Sequence, residues 1–393
     1  MSSIIFMGFT VPDNVISKIL ESDPNMPIQT HKFAWSFVEA LSCNGVDVEC
    51  ISSDPVSNFP LYHQRFFKSH KYFSKNLNIK TISFINIIIL KHLSRFFSSF
   101  LELFKRRSLN KTIIIHGIHT PFLLSAFISK LLFKFKVVVI LTDPAGIFNR
   151  HDTDFTKLLK RIDKRVVLYL LDKMDGSITL TDSLFTDYMP NRPNLLVEGI
   201  VSSNSNGVIR LDRTSNITFA YTGGLYEKYG VKNLVDAVIS IGDPKIRLKI
   251  FGLGDLNEYI SSLARKSELV SYYGFVSPDN LIDNLSDVNV LVNPRPVDLD
   301  FIKYSFPSKL LEYMCAGVCV LTSRLPTIPS GYDDYLIYLD DTSVEGIKRK
   351  MIELSTIKIG DLDSLGSAAR NYVLSDKSSA VQGKRIKAFL NSL

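Results

Sequence analysis

Several features are missing from this 393-residue sequence, and each absence excludes a class of protein. The start, MSSIIFMGF, has no basic region followed by an apolar stretch, so no secretory signal is expected. No stretch of about 18 apolar residues runs uninterrupted, so no transmembrane helix is expected. Cysteine is scarce: Cys43, Cys50, Cys315 and Cys319 make no metal-ligand pattern. Cys315 and Cys319 fall on the apolar faces of a helix and the next strand, which fits buried, reduced thiols in a cytosolic protein. His116 and His119 stand three apart after a strand but have no third ligand for zinc. Asp-x-Asp pairs occur at Asp152/Asp154, Asp298/Asp300 and Asp361/Asp363. With 28 Asp in the chain, that number is close to chance and carries no metal signal. No nucleic-acid-binding module is recognisable.

What is present is a globular composition, 46% hydrophobic and 22% charged, long enough for two domains. The net charge of +7 is unevenly placed. Residues 1–200 hold 24 Lys and Arg against 17 Asp and Glu, whereas residues 201–393 hold 22 of each. Within 55–150 there are 15 basic residues and two acidic ones, Glu102 and Asp143. Such an excess attracts phosphates or an anionic membrane. At 84–107, FINIIILKHLSRFFSSFLELFKRR mixes Phe, Leu and Ile with Lys91, Arg95, Lys105, Arg106 and Arg107, a composition suited to a membrane interface. The alternative is an ordinary amphipathic helix packed on a sheet with its charges in water.

Both halves alternate strand-like and helix-like segments. Strands are expected at 4–9, 47–52, 80–87, 112–117, 136–142, 176–181 and 195–198, with helices at 31–43, 121–133 and 156–173. The second half gives strands at 217–222, 247–252, 270–276, 288–293, 318–322 and 336–339. Its helices are expected at 231–241, 255–266, 278–285, 307–316 and 343–355. This pattern predicts two doubly wound parallel sheets, α/β in class. The Ser/Asn/Gly-rich stretch 202–216 reads as the linker. The expected domains are 1–201 and 217–375, with 376–393 a closing helix. Ligands of such sheets bind at the carboxyl ends of strands.

Four strand ends in the second half carry candidates. Gly223 and Gly224 follow one strand, and paired glycines let a phosphate approach the backbone. Gly252 and Gly254 follow the next, but the third glycine of a dinucleotide fingerprint is absent. After Gly274, Phe275 or Val276 can cover a flat base. Last comes YSFPSKLLEYMCAG, where Pro307 suits a first helical position, Gly317 a helix stop, and Ser308 and Glu312 share one face. The helix start, with Ser308, Lys309 and Leu310, is an anion site.

The series YTGG…KYGVKNLVDA, IFGLGD, YYGFVS, DVNVLVNP and SFPSKLLEYMCAGVCVL resembles the donor domain of the family 4 glycosyltransferases. The likeness is strong over about 215–330. That resemblance implies a GT-B fold, two Rossmann-like domains facing across a cleft, and transfer with retained anomeric configuration. It places Glu312 on the ribose of a nucleotide sugar, a UDP- or GDP-sugar, and Tyr304 where the family has another Glu. The family's diphosphate-binding Arg and Lys correspond to Gly224 and Tyr229 here. Lys228, Arg295, Lys303 and Lys309 are the available replacements, with Arg295 and Lys309 preferred. In the first half, Thr142 and Asp143 stand at the family's His-Asp, and IQTHKFAWSFVEALSCNGVDVECISSDP matches its first helix and second strand.

A metal-independent enzyme with no cofactor is expected, because the Asp pairs carry no signal and the helix dipole and nearby basic side chains can neutralise the leaving group. Leaving-group stabilisation at the helix start, Lys309 included, would carry catalysis. Asp143 is the candidate base, with Thr142 and His116 beside it. Gln29, Thr30, His116 and His119 are the expected acceptor contacts. The acceptor would be an oligosaccharide or a lipid-diphosphate-linked sugar in bacterial surface polysaccharide assembly. The protein would be cytoplasmic, peripheral on the inner face of an anionic membrane, and would not bind nucleic acid. A nucleotide-sugar epimerase and a non-catalytic sugar-nucleotide-binding subunit are the alternatives.

Overall fold

A computed structural model describes residues 3–23, 28–108, 111–146, 153–202, 216–298 and 301–393. The chain forms two compact units, residues 1–200 with 379–393, and residues 201–378. Most of the expected linker, residues 203–215, lies outside the described residues.

Unit 1 begins with β1 (Ile4–Gly8), α1 (Asp13–Ser22), α2 (Ile28–Cys43) and β2 (Val48–Ser52). Four short strands follow: β3 (Phe66–Phe67), β4 (Lys71–Ser74), β5 (Leu77–Thr81) and β6 (Phe84–Ile85). Then come α3 (Ile88–Lys105), β7 (Thr112–His116), α4 (Thr120–Phe133), β8 (Lys136–Leu141) and α5 (Asp154–Asp172). The series closes with β9 (Gly176–Thr179), α6 (Asp182–Tyr188) and β10 (Asn194–Leu196). The main sheet has the order β10-β9-β8-β7-β1-β2-β5-β4, parallel except for β4. Its central strands are apolar along their whole length because helices cover both faces; all five residues of β1 and of β7 are buried.

One expected strand is corrected. Residues 80–87 do not form a single strand: β5 ends at Thr81 in the main sheet, and β6 pairs antiparallel with β3 in a separate ribbon. The break comes at Ile82-Ser83, where Ile82 N–H still bonds the Ser52 carbonyl (2.8 Å) before the chain leaves the sheet.

Unit 2 contains β11 (Ile217–Thr222), α7 (Val231–Ile241), β12 (Ile246–Phe251), α8 (Asn257–Lys266), β13 (Val270–Tyr272) and α9 (Pro278–Asn284). It continues with β14 (Val290–Asn293), α10 (Ser308–Ala316), β15 (Cys319–Ser323), β16 (Ile337–Leu339), α11 (Val344–Ser355) and α12 (Ile359–Asp376). Its sheet is wholly parallel in the order β13-β12-β11-β14-β15-β16. That is the Rossmann winding, in which the strand order reverses between the first and fourth strands and opens a crevice at their carboxyl ends.

The last helix, α13 (Ser379–Ser392), belongs to unit 1. Asn44 donates to the Ser379 carbonyl (3.4 Å), and Lys387 donates to the Asn44 carbonyl (2.9 Å). Gly383 abuts the Ala40 carbonyl so closely that any side chain there would collide with it. A small residue at this crossing lets α13 lie directly on α2.

Candidate active site

In unit 2 the reversal between β11 and β14 gathers the candidates. The loop after β11 carries Gly223, that after β12 carries Gly252 and Gly254, and that after β14 leads through Arg295 to α10. The loops after β11, β12 and β13 are laced together: Gly223 N–H bonds the Phe251 carbonyl (2.8 Å) and Gly252 N–H bonds the Gly274 carbonyl (2.7 Å). Gly223 and Gly252 have φ of +135° and +134°, a region that side chains rarely adopt. A methyl group on Gly252 would fall on the Gly223 carbonyl, one on Gly254 on the Leu225 carbonyl, and one on Gly223 on the Lys309 ammonium. So Gly252 and Gly254 serve the packing of loop on loop, while Gly223 gives Lys309 its place.

The helix α10 starts at Ser308, one residue later than expected, with Pro307 as its N-cap residue and no side-chain cap. Gly317 closes it in the left-handed conformation, φ 74°. Leu310 is not a ligand contact: its side chain is fully buried and its N–H bonds the Pro307 carbonyl (2.8 Å). Ser308 and Glu312 are exposed on the outer face, and the first turn presents N–H groups that the helix itself cannot satisfy. Tyr313, one residue on, is buried and fixes the helix to β11. Its hydroxyl accepts from Thr222 N–H (3.0 Å) and donates to the Thr222 carbonyl (3.1 Å).

Three cations gather around one ring. Lys228 (5.3 Å), Arg295 (5.8 Å) and Lys309 (5.8 Å) all lie within reach of the Tyr229 centroid. Lys309 also lies over Tyr221 (5.0 Å), whose hydroxyl donates to the Gly224 carbonyl (2.9 Å). Burial lowers the Lys309 amine to about 8; Glu312 opposes that shift and Arg295 adds to it. Arg295 is 8% exposed, and burial likewise lowers its guanidinium. Its one side-chain bond among the described residues is a long one to Ser305 Oγ (3.4 Å), and its Nε has no partner. Among the described residues neither Lys309 nor Arg295 pairs with a carboxylate. An aromatic floor thus holds desolvated cations beside a helix start, an arrangement fitted to an anion with several oxygens.

The remaining candidates of unit 2 are more peripheral. Lys228 is exposed, Lys303 lies over the Tyr304 ring (4.7 Å), and Tyr304 ends a short 3-10 turn after Ile302. Phe275 is 71% exposed and available to a base, whereas Val276 packs partly into the core. Tyr221 and Tyr313 belong to this cluster and were missed by the sequence reading, which noted Tyr229 only as standing in place of a lysine; the signal available was tyrosine within or just beyond otherwise apolar segments.

In unit 1, Thr30, His116 and His119 line one cavity of about 420 Å³, together with Phe9, His31 and Arg95. Burial pushes His116 down to about 4, and it lies between the rings of Phe6 (6.0 Å) and Phe33 (5.8 Å). His119 is lowered as well, by burial first and then by Arg95, His92 and Lys91. Both imidazoles are neutral at ordinary pH, and each has an Nε2 without a protein partner among the described residues. Thr142 and Asp143 follow β8 next door, where the Thr142 hydroxyl donates to Asp143 Oδ2 (2.8 Å); neither lines the cavity. The side chain of Gln29 lies outside the described residues.

The helix within the stretch 84–107, α3, does not keep all its charges in water as an ordinary amphipathic helix would. Lys91 and Arg95, each 4% exposed, point inward. Lys91 donates to the Val56 carbonyl (2.7 Å) and Asn58 Oδ1 (3.0 Å); Arg95 donates to the Asp54 carbonyl (2.9 Å) beneath the Phe84 ring (4.4 Å). Arg106 is paired with Glu49 and Glu102. The loop after β2 offers carbonyls to this face, so part of the basic excess is internal.

Residues 209–372 match the family model "Glycosyl transferases group 1". An uncharacterized glycosyltransferase of Methanocaldococcus jannaschii is 24% identical over 272 residues, 64% of this chain and 67% of that protein. Among solved structures, the lipopolysaccharide outer core galactosyltransferase WaaB superposes with a TM-score of 0.62 at 16% identity, covering 99% of each chain. HepE of Anabaena, in complex with UDP, gives 0.58 at 12% identity over the whole of both chains. With a group 1 domain in its second unit and glycosyltransferases of the GT-B fold as its neighbours, the protein is a glycosyltransferase.

Proposed function

We propose that the enzyme moves a hexose from a nucleotide diphosphate sugar to a glycan or lipid-linked acceptor, with retention of configuration, in surface polysaccharide assembly. The observation that carries this is the convergence of Lys309, Arg295 and the start of α10 at the strand reversal of unit 2. HepE, of the same fold, is in complex with UDP. The diphosphate sits on the N–H groups of the first turn of α10 and against Lys309 and Arg295. Glu312, on the exposed face of that helix, accepts from the ribose hydroxyls.

As the sugar–phosphate bond breaks, negative charge grows on the leaving diphosphate. Two desolvated cations and a helix N-terminus stabilise that charge without rearranging. The same cations do the work that a divalent metal does elsewhere, so transfer is metal-independent. The cavity with Thr30, His116 and His119 receives the acceptor, and Asp143, exposed beside it, is the candidate base. The enzyme works on the inner face of a membrane.

A thermal-shift titration with UDP, GDP and their sugars tests the donor assignment, since a ligand bound only by the folded state stabilises it. A shift with one nucleotide family and none with the other, followed by transfer or slow hydrolysis of that sugar, is the expected result. No shift with any nucleotide diphosphate would remove the reading.

A further inference from the structure

Two neighbouring helices of unit 1 turn their apolar side chains outward. On α3, Ile89, Leu93, Phe97 and Leu101 follow at four-residue spacing and are 61%, 50%, 59% and 54% exposed, while the opposite face buries Lys91, Arg95 and Glu102. On α5, Phe155, Leu158, Ile162, Val166 and Tyr169 follow at spacings of three and four, and all are exposed. There too the lysines at 157, 160 and 164 are the half-buried ones. Between the two lies α4, whose Phe133 meets Phe104 of α3 (5.7 Å) and whose Phe127 meets Tyr169 of α5 (6.4 Å). Its own end exposes Leu131 and Leu132, 65% and 62%.

A stripe at helical spacing ordinarily faces a core. Here two stripes and the helix end between them face outward, more apolar surface than isolated exposed side chains explain. The charges around it select the occupant. Arg161 and Arg165 flank the α5 stripe, Lys105 and Arg107 stand at the end of α3, and Lys134 follows α4; all are exposed and outnumber the exposed Asp154 and Asp163 of α5. A two-fold pairing of this face with a second copy would set cations against cations. An anionic bilayer complements both the apolar stripe and its basic rim. No described helix is long and apolar enough to cross a membrane, which fits helices lying in the interface.

We infer that the outward face of α3, α4 and α5 docks on an anionic lipid surface and seats its apolar residues in the headgroup–acyl boundary. This builds on the peripheral-membrane part of the proposed function and replaces a purely electrostatic contact with an apolar one. It gives a reason for the inward lysines and arginines: a face that enters lipid sheds charge from its centre and keeps it at the rim.

Co-sedimentation of the full chain with phosphatidylcholine vesicles, with and without phosphatidylglycerol, tests this. Binding should require the anionic lipid at moderate salt and fall at least tenfold in Leu93→Ser/Phe97→Ser and in Phe155→Ser/Ile162→Ser. Each of Arg161→Gln and Arg165→Gln should weaken it about fivefold. UDP and GDP thermal shifts are measured on every variant. Retained shifts show that unit 2 is folded, so a failure of docking is read separately from a failure of the donor assignment. Sedimentation velocity is run alongside. The inference is overturned if the parent ignores anionic vesicles at low salt, or if the serine variants bind as the parent does. A parent dimer that those variants abolish would equally overturn it, because a second copy would then cover the face.

Discussion

The two units wind their sheets on one plan and furnish the strand ends with different materials. At the carboxyl ends of unit 2, glycine loops bring backbone close to backbone, and the cations Lys309 and Arg295 stand over tyrosine rings without a carboxylate partner among the described residues. At the corresponding ends of unit 1 the cavity is walled by Phe9, His31, His116 and His119, and Arg95 bonds a carbonyl. The first arrangement suits a multiply charged anion; the second suits a less charged group held by ring faces and imidazole nitrogens. Formal charge therefore misleads when it is read by domain. The neutral half holds Lys309 and Arg295, without a carboxylate partner among the described residues, and the basic half buries several cations of its own.

The contrast between glycine loops is the sharpest place to break this picture. Gly252→Ala puts a methyl group on the Gly223 carbonyl at φ +134° and should cost about 3 to 4 kcal/mol of unit 2 stability. Gly274→Ala, at φ +65° with open space around it, should cost only about 1 kcal/mol. Urea unfolding of the two variants measures the difference, and equal costs would mean that the loops are not laced as described.

Next in size is Lys309→Gln, which should weaken nucleotide diphosphate binding by about 3 kcal/mol, the upper range for a hydrogen bond to a charged group. The parent should also lose affinity as pH rises through about 8, because the amine of the empty site, depressed by burial, then gives up its proton. Below that pH the cation is present and affinity levels off. Calorimetric titration across this range reads both effects, and a variant that kept the parent's pH profile would exonerate Lys309.

Glu312→Gln keeps the size of the side chain and removes its charge, so donor binding should weaken by about 2 kcal/mol. Unchanged binding and transfer in that variant would take the ribose away from Glu312. Smallest is the effect of EDTA: activity should fall less than about threefold, under 1 kcal/mol of barrier. Complete loss restored by Mn²⁺ or Mg²⁺ would show that the cation site does not replace a metal.

Much of unit 2 was legible in the sequence because its signals are local. Buried parallel strands read as runs such as ITFAYT and VLVN, and glycines mark where those runs must turn. Glu312 and Lys309 could be placed because a helix start follows a strand end. Other features depended on what the chain meets elsewhere. Periodicity showed that 88–105 has two faces but not which one turns inward; the carbonyls of Asp54 and Val56, distant in sequence, decided that. The same holds for Tyr313, apolar by its place in the helix and polar by its bonds to Thr222. Ile82 and Ser83 look like the middle of a strand, and only the ribbon partner Phe66–Phe67 divides it.

The Tyr313 tether also bears on turnover. Because its hydroxyl grips both the N–H and the carbonyl of Thr222, the start of α10 cannot swing away from the end of β11 without breaking two buried bonds. The ordering entropy of the anion cradle is therefore met once, during folding, and not at each arrival of a substrate. For the donor proposed above, a rigid cradle of this kind would hold the spent nucleotide as firmly as the fresh one and would make its release the slow step of the cycle.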